Sequence, residues 1–426
     1  MKFQIVTLGC KVNAYESEMM KEKLLKARYV YDEENPDIVI LNTCSVTNVA
    51  DQKSKKLARH YRRENPDSLL VICGCSSENN HQAYEEVDPQ ILLGNNKKSE
   101  IVKLLEDYFK SHENYQFFAN TRALSFEDMQ IEKFTTHTRA FVKIEDGCDN
   151  FCSYCVIPYV RGSIRHKDFD TVLKEVETLV KNGHQEIVFT GIHTGSYKSS
   201  NGKDLTDLIH EVSKFEGLKR IRISSIEITE LKEKFMKELK ENPKICDHLH
   251  IPLQAGSDEI LKKMSRKYTI DEYKKNLEQI RLIRPNISIT TDIIVGFPGE
   301  TREMFLKTLK IASMLDFSKI HVFPYSVREK TAASLMPNQV SSEEKHHRSK
   351  ELTALSKGLE KKYAEKFLNQ ELEVLIEKSG EESIGTTSNY LKVKINENIP
   401  NNTLVTVKIV SYDGFCLHGT RILTQV

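Results

Sequence analysis

The chain has 426 residues, 39% hydrophobic and 29% charged, enough for two or three folded domains of about 100–200 residues each. Its 62 basic residues nearly balance 61 acidic ones, so bulk charge argues neither for nor against nucleic acid, and any such contact must come from local patches. No run of about 18 apolar residues is present, and the N-terminus, M-K-F-Q-I-V-T-L-G, lacks a signal-peptide cleavage pattern; this excludes a membrane-spanning helix and predicts a cytoplasmic protein. Nine cysteines in a reducing compartment point to ligation rather than to a disulfide framework.

Residues 1–112 alternate strand-like and helix-like pieces. Phe3–Leu8, Asp37–Leu41, Leu69–Ile72 and Ile91–Leu93 read as strands, and Ala14–Ala27, Val49–Glu64 and Ser99–Phe109 as helices. The second helix must close at Asn65, because the residue before Pro66 avoids helical angles. This rhythm predicts a doubly wound parallel sheet of α/β class. Cys10, Cys44 and Cys75 follow three of its strands, and ligands of open α/β sheets bind outside the carboxyl ends of strands, so the three are expected to converge on one site. Cys75 is preferred to Cys73 because it sits at the turn after Gly74, and strand alternation predicts that both side chains share one face. Cys246 and Cys416 belong to no cluster. The basic run Lys53–Arg63 reads either as a solvated helix face or as an RNA-phosphate patch, with Leu57 and Tyr61 turned inward.

Residues 113–138 have few long apolar runs and are expected to form a surface linker. A second rhythm fills residues 139–368. Its strands are Ala140–Ile144, Glu186–Thr190, Arg220–Ser224, His248–Ile251, Ser288–Ile294 and Lys319–Phe323, with helices such as Val172–Lys181 and Arg302–Leu315 between them. Asp168 or Asp170 is the expected N-cap of the first of these helices. Six strand–helix units predict a barrel-like parallel sheet two units short of eight, with its chemistry at the strand ends. There Gly191 would let backbone amides approach a ligand closely.

After the first of these strands comes E-D-G-C-D-N-F-C-S-Y-C-V-I-P-Y-V-R, which spaces Cys148, Cys152 and Cys155 as C-x3-C-x2-C. A structural zinc site wants four closed ligands, and no fourth Cys or His stands at finger-like spacing. Three thiolates suit a cubane iron–sulfur cluster, whose uncovered iron can take a non-protein ligand. Tyr154 offers a flat apolar surface beside that iron. Beyond Pro337, Ser341 and Glu344 match a capping box for a helix reaching about Phe367. Residues 369–426 turn β-rich, with Glu371–Ile376, Tyr390–Ile395, Leu404–Ile409 and Phe415–Leu423 as strands of a small barrel or sandwich.

T-L-G-C-K-V-N-A-Y-E-S-E, N-T-C-S-V-T, the cysteine loop, S-S-I-E, H-I-P-L-Q-A-G-S-D, D-I-I-V-G-F-P-G-E-T, F-P-Y-S-V-R-E-K-T-A-A and G-T-T-S-N-Y resemble the radical S-adenosylmethionine (SAM) methylthiotransferases. The resemblance implies an N-terminal methylthiotransferase domain, a central partial (β/α)6 radical SAM barrel and a C-terminal TRAM domain of β-barrel form. It also implies two 4Fe–4S clusters, an auxiliary one on Cys10, Cys44 and Cys75 and a SAM-cleaving one on Cys148, Cys152 and Cys155. One SAM then serves as methyl donor and another as radical source. Among the branches, G-C-K-V-N resembles the one acting on threonylcarbamoyladenosine beside the tRNA anticodon; the same chemistry on isopentenyladenosine or on a ribosomal-protein aspartate is the alternative. The implied partners are the tRNA anticodon stem-loop, a cellular electron donor and a sulfur source.

Tyr154, Gly191, Ser225, Gln254 and Asp292 are then candidates for holding SAM or base, and the three polar ones read equally as structural hydrogen-bonding groups. Lys11, next to Cys10, is the candidate partner for the carboxylate of the threonylcarbamoyl group, or else points to solvent. A non-catalytic iron–sulfur carrier or RNA-binding protein is the reading from another class, and formation of deoxyadenosine from SAM separates it from the enzyme. Departures from the family pattern are Ser76-Ser77 after Cys75, Arg165-His166, and a TRAM-like segment with more acidic than basic residues.

Overall fold

The structure, a computed structural model, describes residues 1–422. Six parallel strands open the chain: β1 (Lys2–Thr7), β2 (Val30–Tyr31), β3 (Ile38–Thr43), β4 (Leu69–Gly74), β5 (Ile91–Leu93) and β6 (Tyr115–Phe117), ordered β2-β1-β3-β4-β5-β6. Central strands β3 and β4 are buried along their whole length, as their unbroken apolar runs require of strands covered on both faces. Helices α1 (Lys11–Lys26), α2 (Asn48–Glu64), α3 (Cys75–Asn79) and α4 (Ile101–Ser111) cover them. The short edge strands β2 and β6 carry too few residues to show a period. The stretch expected as a linker supplies β6, and it buries Met129, Ile131 and Phe134 in the main core.

Helix α1 explains why so many polar residues can be buried. Val12, Tyr15, Met19, Met20 and Leu24 are enclosed, but so are Asn13, Glu16, Ser17 and Glu18, because the helix lies between the first sheet and the central one. The Tyr15 hydroxyl donates to Glu175 Oε1 at 2.7 Å, and Thr135 donates through backbone N and Oγ1 to Glu18 Oε1. Ser17 accepts from Asn42 within the first unit and the others find partners across the seam, so each is buried with a partner.

The central unit contains β7 (Ala140–Lys143), β8 (Glu145–Asp146), β9 (Arg165–His166), β10 (Glu186–Thr190), β11 (Arg220–Ile223), β12 (His248–His250), β13 (Ser288–Val295) and β14 (Lys319–Pro324). Parallel sheets β7-β10-β11 and β12-β13-β14 are joined by a parallel bridge between Ile221 and Ile245 into an open arc of six strands. Antiparallel β8 and β9 bracket the cysteine loop. Helices α5 (Ile157–Val160), α6 (Phe169–Lys181), α7 (Leu205–Ser213), α8 (Glu233–Glu241), α9 (Asp258–Lys263), α10 (Ile270–Ile283), α11 (Arg302–Met314) and α12 (Ser342–Glu365) intervene or follow. Asp168 caps α6 by accepting from Thr171 N. At α12 only half of the capping box forms: Ser341 accepts from Glu344 N, while the Glu344 carboxylate is drawn to Arg348 at 2.7 Å. A nearby guanidinium outcompetes the backbone amide for that carboxylate.

The last five strands, β15 (Glu371–Lys378), β16 (Ser383–Thr387), β17 (Lys392–Ile395), β18 (Leu404–Tyr412) and β19 (Leu417–Arg421), close a barrel in the order β15-β16-β17-β19-β18. Val374, Ile376, Val393, Val407, Ile409 and Leu417 form its own core. Strand β16, with Gly385 at its centre, escaped the sequence reading, and Leu423 of the last expected strand lies outside the described residues. Arg220 donates to Thr386 O and Glu373 O, and Arg222 to Thr387 O and Ser388 O, pinning this barrel to β11. Among the described residues no helix is long and apolar enough to cross a membrane.

Candidate functional site

Cys10, Cys44 and Cys75 stand just beyond the carboxyl ends of β1, β3 and β4, three neighbours in the first sheet. Two glycines make the approach possible. Gly9 has φ +115°, and a Cβ there would lie 3.1 Å from Cys44 Sγ; Gly74 has φ +110°, and a Cβ would meet Thr43 O at 2.5 Å. Only glycine fits either place. The Gly74 turn also separates the two thiols expected on one face. Cys73 lies in the main core, whereas Cys75 begins α3 and packs on Val156 and Val160 behind the second cysteine group. Burial pushes the Cys44 thiol up to about 11 and raises Cys75 as well, with Arg161 opposing in both.

The surroundings of Cys75 carry an excess of positive charge. Arg161, fully buried, donates from Nε to Cys75 Sγ at 3.3 Å and from Nη1 to Glu16 Oε1 and Asp146 Oδ1, both at 3.0 Å. Lys98 reaches Glu16 at 2.5 Å, Lys143 reaches Glu16 at 2.8 Å and Asp146 at 2.7 Å, and Arg165 adds a contact to Asp146. Four buried cations therefore share two carboxylates. Burial alone would raise Glu16, but Arg161, Lys143 and Lys98 hold it well below the usual carboxylate range. A buried cationic surplus is costly unless an anion completes it. Three thiolates, or a cluster held by them, would supply such an anion. The donor set fits an iron–sulfur group better than three neutral thiols.

Cys148, Cys152 and Cys155 occupy the loop between β8 and α5, held by Cys148 N on Gly162 O and Cys155 N on Cys152 O. Gly147 has φ +81°, where a Cβ would strike Ser163 O at 2.2 Å, and Phe151 is a non-glycine residue at φ +47°. Residues held so far from ordinary backbone angles cluster at working sites. Burial pushes Cys148 and Cys155 up to about 12, so loading a metal here must release protons. A second buried arginine serves this loop: Arg266 donates to Cys152 Sγ at 3.3 Å and pairs with Glu227.

Beside Cys155 opens a cavity of about 180 Å³, walled by Tyr154, Gln254, Asp292 and Phe323 and roofed by Val46 and Thr47, which follow Cys44. Gln254 takes φ +66° while its backbone N bonds Asp292 O, which ties the segment after β12 to β13 at the cavity floor. Gly191 and Ser225 do not line this cavity. Gly191 instead lets the chain pass Glu145, whose Oε2 would lie 2.6 Å from a Cβ at that position. Lys11 is partly exposed at the start of α1, has no ion pair among the described residues, and lies close enough to His248 and Tyr390 to act on their charge.

Glu145 is a buried carboxyl whose Oε1 has no partner among the described residues, and burial pushes it up to about 8 against the backbone bond from His193. The folded chain binds this proton more tightly than the unfolded one, whose carboxyl titrates near 4.5. The stability it contributes is therefore present at low pH and lost as pH rises from about 4.5 to 8. Glu145→Gln, always neutral, is expected to flatten that fall in thermal melts; parallel pH curves for the two proteins would contradict it.

The structure brings together Cys10 with Cys44 and Cys75, Cys148 with Cys152 and Cys155, and Tyr154 with Gln254 and Asp292. Sequence reading missed Arg161, Arg266 and Glu16. A weak signal existed for Arg161, six residues after Cys155 in the same motif.

An open six-strand arc with three cysteines on its first loop defines a radical SAM protein. Residues 142–312 match the model of the radical SAM superfamily, and residues 2–94 match that described as Uncharacterized protein family UPF0004. The chain is 39% identical to the threonylcarbamoyladenosine tRNA methylthiotransferase MtaB of Bacillus subtilis, over 91% of this chain and 88% of that one. It is 37% identical to the MtaB of Thermotoga maritima (88% and 86% covered), and 36% identical to tRNA-2-methylthio-N(6)-dimethylallyladenosine synthase of Natranaerobius thermophilus (88% and 86%). Among solved structures, the radical SAM methyltransferase TsrM of Kitasatospora setae superposes with TM-score 0.57 at 13% identity, over 78% of this chain and 77% of that one, a likeness of fold alone. The chain belongs to the radical SAM methylthiotransferase family, and its closed C-terminal barrel fits a TRAM domain.

Proposed function

We propose that this chain converts threonylcarbamoyladenosine beside the tRNA anticodon to its 2-methylthio derivative, using two SAM molecules and two iron–sulfur clusters. The observation that carries the reading is a cavity beside Cys155 that is roofed by the segment after Cys44, with Cys75 packed on Val156 and Val160 behind it and, next to Cys10, a lysine without an ion pair among the described residues. When bound, the cluster on Cys148, Cys152 and Cys155 supplies the electron that cleaves SAM, and that on Cys10, Cys44 and Cys75 supplies the sulfur. The C2–H bond of adenine is unactivated, so acid–base side chains cannot break it, and the protein's share is positioning and exclusion of water.

Tyr154, Gln254 and Asp292 hold SAM against the first triad. Arg161 and Arg266 each donate to one thiolate and keep its charge fixed. Lys11 pairs with the threonylcarbamoyl carboxylate, a charge-assisted bond of roughly 1.5–3 kcal/mol in a partly desolvated cleft. An isopentenyl group has no charge for Lys11 to meet. A cellular electron donor and a sulfur source complete the cycle.

Nucleoside mass spectrometry of tRNA from cells lacking the gene tests this. The 2-methylthio form of threonylcarbamoyladenosine is expected to vanish while 2-methylthio isopentenyladenosine and ribosomal methylthio-aspartate persist. The opposite pattern would reassign the acceptor.

A further inference from the structure

The inner wall of the central arc sets Asp292, which faces SAM in the reading above, beside two histidines that none of that chemistry requires. His250, Asp292 and His321 stand on β12, β13 and β14, three adjacent parallel strands. Asp292 and His321 are direct register partners, and His250 pairs with Thr290, two residues before Asp292 on the same face. The side chains must therefore converge. One ligand atom from each lies within 4.8 Å of the other two, and His250 Nε2 is 3.2 Å from Asp292 Oδ2. Three ligands about 2.0–2.2 Å from one tetrahedral ion lie about 3.3–3.6 Å apart, so side-chain shifts of about an ångström close the set.

The outer shell is built too. Thr290 Oγ1 sits between His250 Nδ1 at 2.9 Å and His248 Nε2 at 3.0 Å. Engaging Nδ1 turns the other nitrogen of His250 toward Asp292, which is how metal-ligating histidines are oriented. A His–Asp ion pair accounts for two of the three groups. It leaves His321 without a hydrogen-bond partner among the described residues, yet its ring is 5.7 Å from that of His250.

We infer that His250, Asp292 and His321 form a binding site for a divalent first-row transition ion of the zinc or iron(II) type. Two imidazoles and one carboxylate on one face leave coordination positions open. Because Asp292 also lines the cavity beside Cys155, those positions are available to an oxygen donor of a bound molecule. The site is separate from both cysteine triads and does not depend on which base is modified.

The test uses the full chain, anaerobically loaded with iron and sulfide, dialysed against Zn²⁺ alone, with zinc and iron counted by mass spectrometry. About one zinc per chain is expected at unchanged iron content, with only nitrogen and oxygen neighbours at about 2.0–2.2 Å in its X-ray absorption spectrum. His321→Gln and Asp292→Asn are expected to weaken zinc binding about ten-fold or more while iron stays at the wild-type level. No zinc uptake, sulfur neighbours around the zinc, or equal affinity in both variants would overturn the inference. The absorption spectrum of the unaltered chain decides the matter even if a variant fails to fold.

Discussion

Replacing Cys148, Cys152 and Cys155 together by alanine is expected to abolish reductive SAM cleavage, while the Cys10/Cys44/Cys75→Ala protein is expected to keep cleaving SAM and insert no sulfur. The two groups sit on separate elements, one on a single loop of the central unit and the other across three strands of the first sheet. Each triple should lose about four of about eight irons. Deoxyadenosine by chromatography and methylthio nucleoside by mass spectrometry read the two activities independently. Cys73, Cys246 and Cys416 serve as the control: their triple replacement should retain all the iron, since Cys73 is packed in the main core and Cys246 is buried beside Arg222. If both cysteine triples lost iron and folding together, the division of labour would be wrong.

Glu16→Gln is expected to be the most damaging single isosteric change in the chain. It keeps the shape of the side chain, strands Lys98 without an ion pair and leaves Lys143 and Arg161 with Asp146 alone. Breaking a buried pair from one side costs about 3–5 kcal/mol because the other charge stays buried. That is a large part of a typical total of about 5–15 kcal/mol. Urea unfolding measures it, and Glu16→Gln combined with Lys98→Met should recover part of the loss by removing one stranded charge. A cost below about 1 kcal/mol would show that the thiolates alone neutralise these cations.

The parts legible in the sequence were those with a local signature. Strands β3, β4 and β13 announce themselves as apolar runs, and the cysteine loop by its spacing. Glu16 had no such signature. In Y-E-S-E-M-M it reads as an exposed helix position, and its partners Lys98, Lys143 and Arg161 lie 82, 127 and 145 residues away. Charges that satisfy each other only after three distant segments meet leave no periodicity. The alternation rule misplaced Cys75 relative to Cys73 for a related reason: one glycine at φ +110° ends the strand between them. The edge strands and β16 escaped because two to five residues with a glycine or polar neighbours show no pattern.

The open arc of the central unit has two edges, and neither is left to itself. Helix α1, from the first unit, lies along β7, while α12 covers β14, where the Ser356 hydroxyl accepts from Ile320 N at 3.0 Å and donates to Ile320 O at 3.1 Å, standing in for a missing strand. Arg220 and Arg222 then fasten the last barrel to β11. A gene fragment encoding the arc alone would expose a raw sheet margin on each side, the usual starting point for aggregation. Exchange of either flank between genes would have to replace its matching half of the seam in the same event. The three units are thus bound to travel through evolution as one piece, and the cavity beside Cys155, walled by the first two of them, changes together with their shared seam.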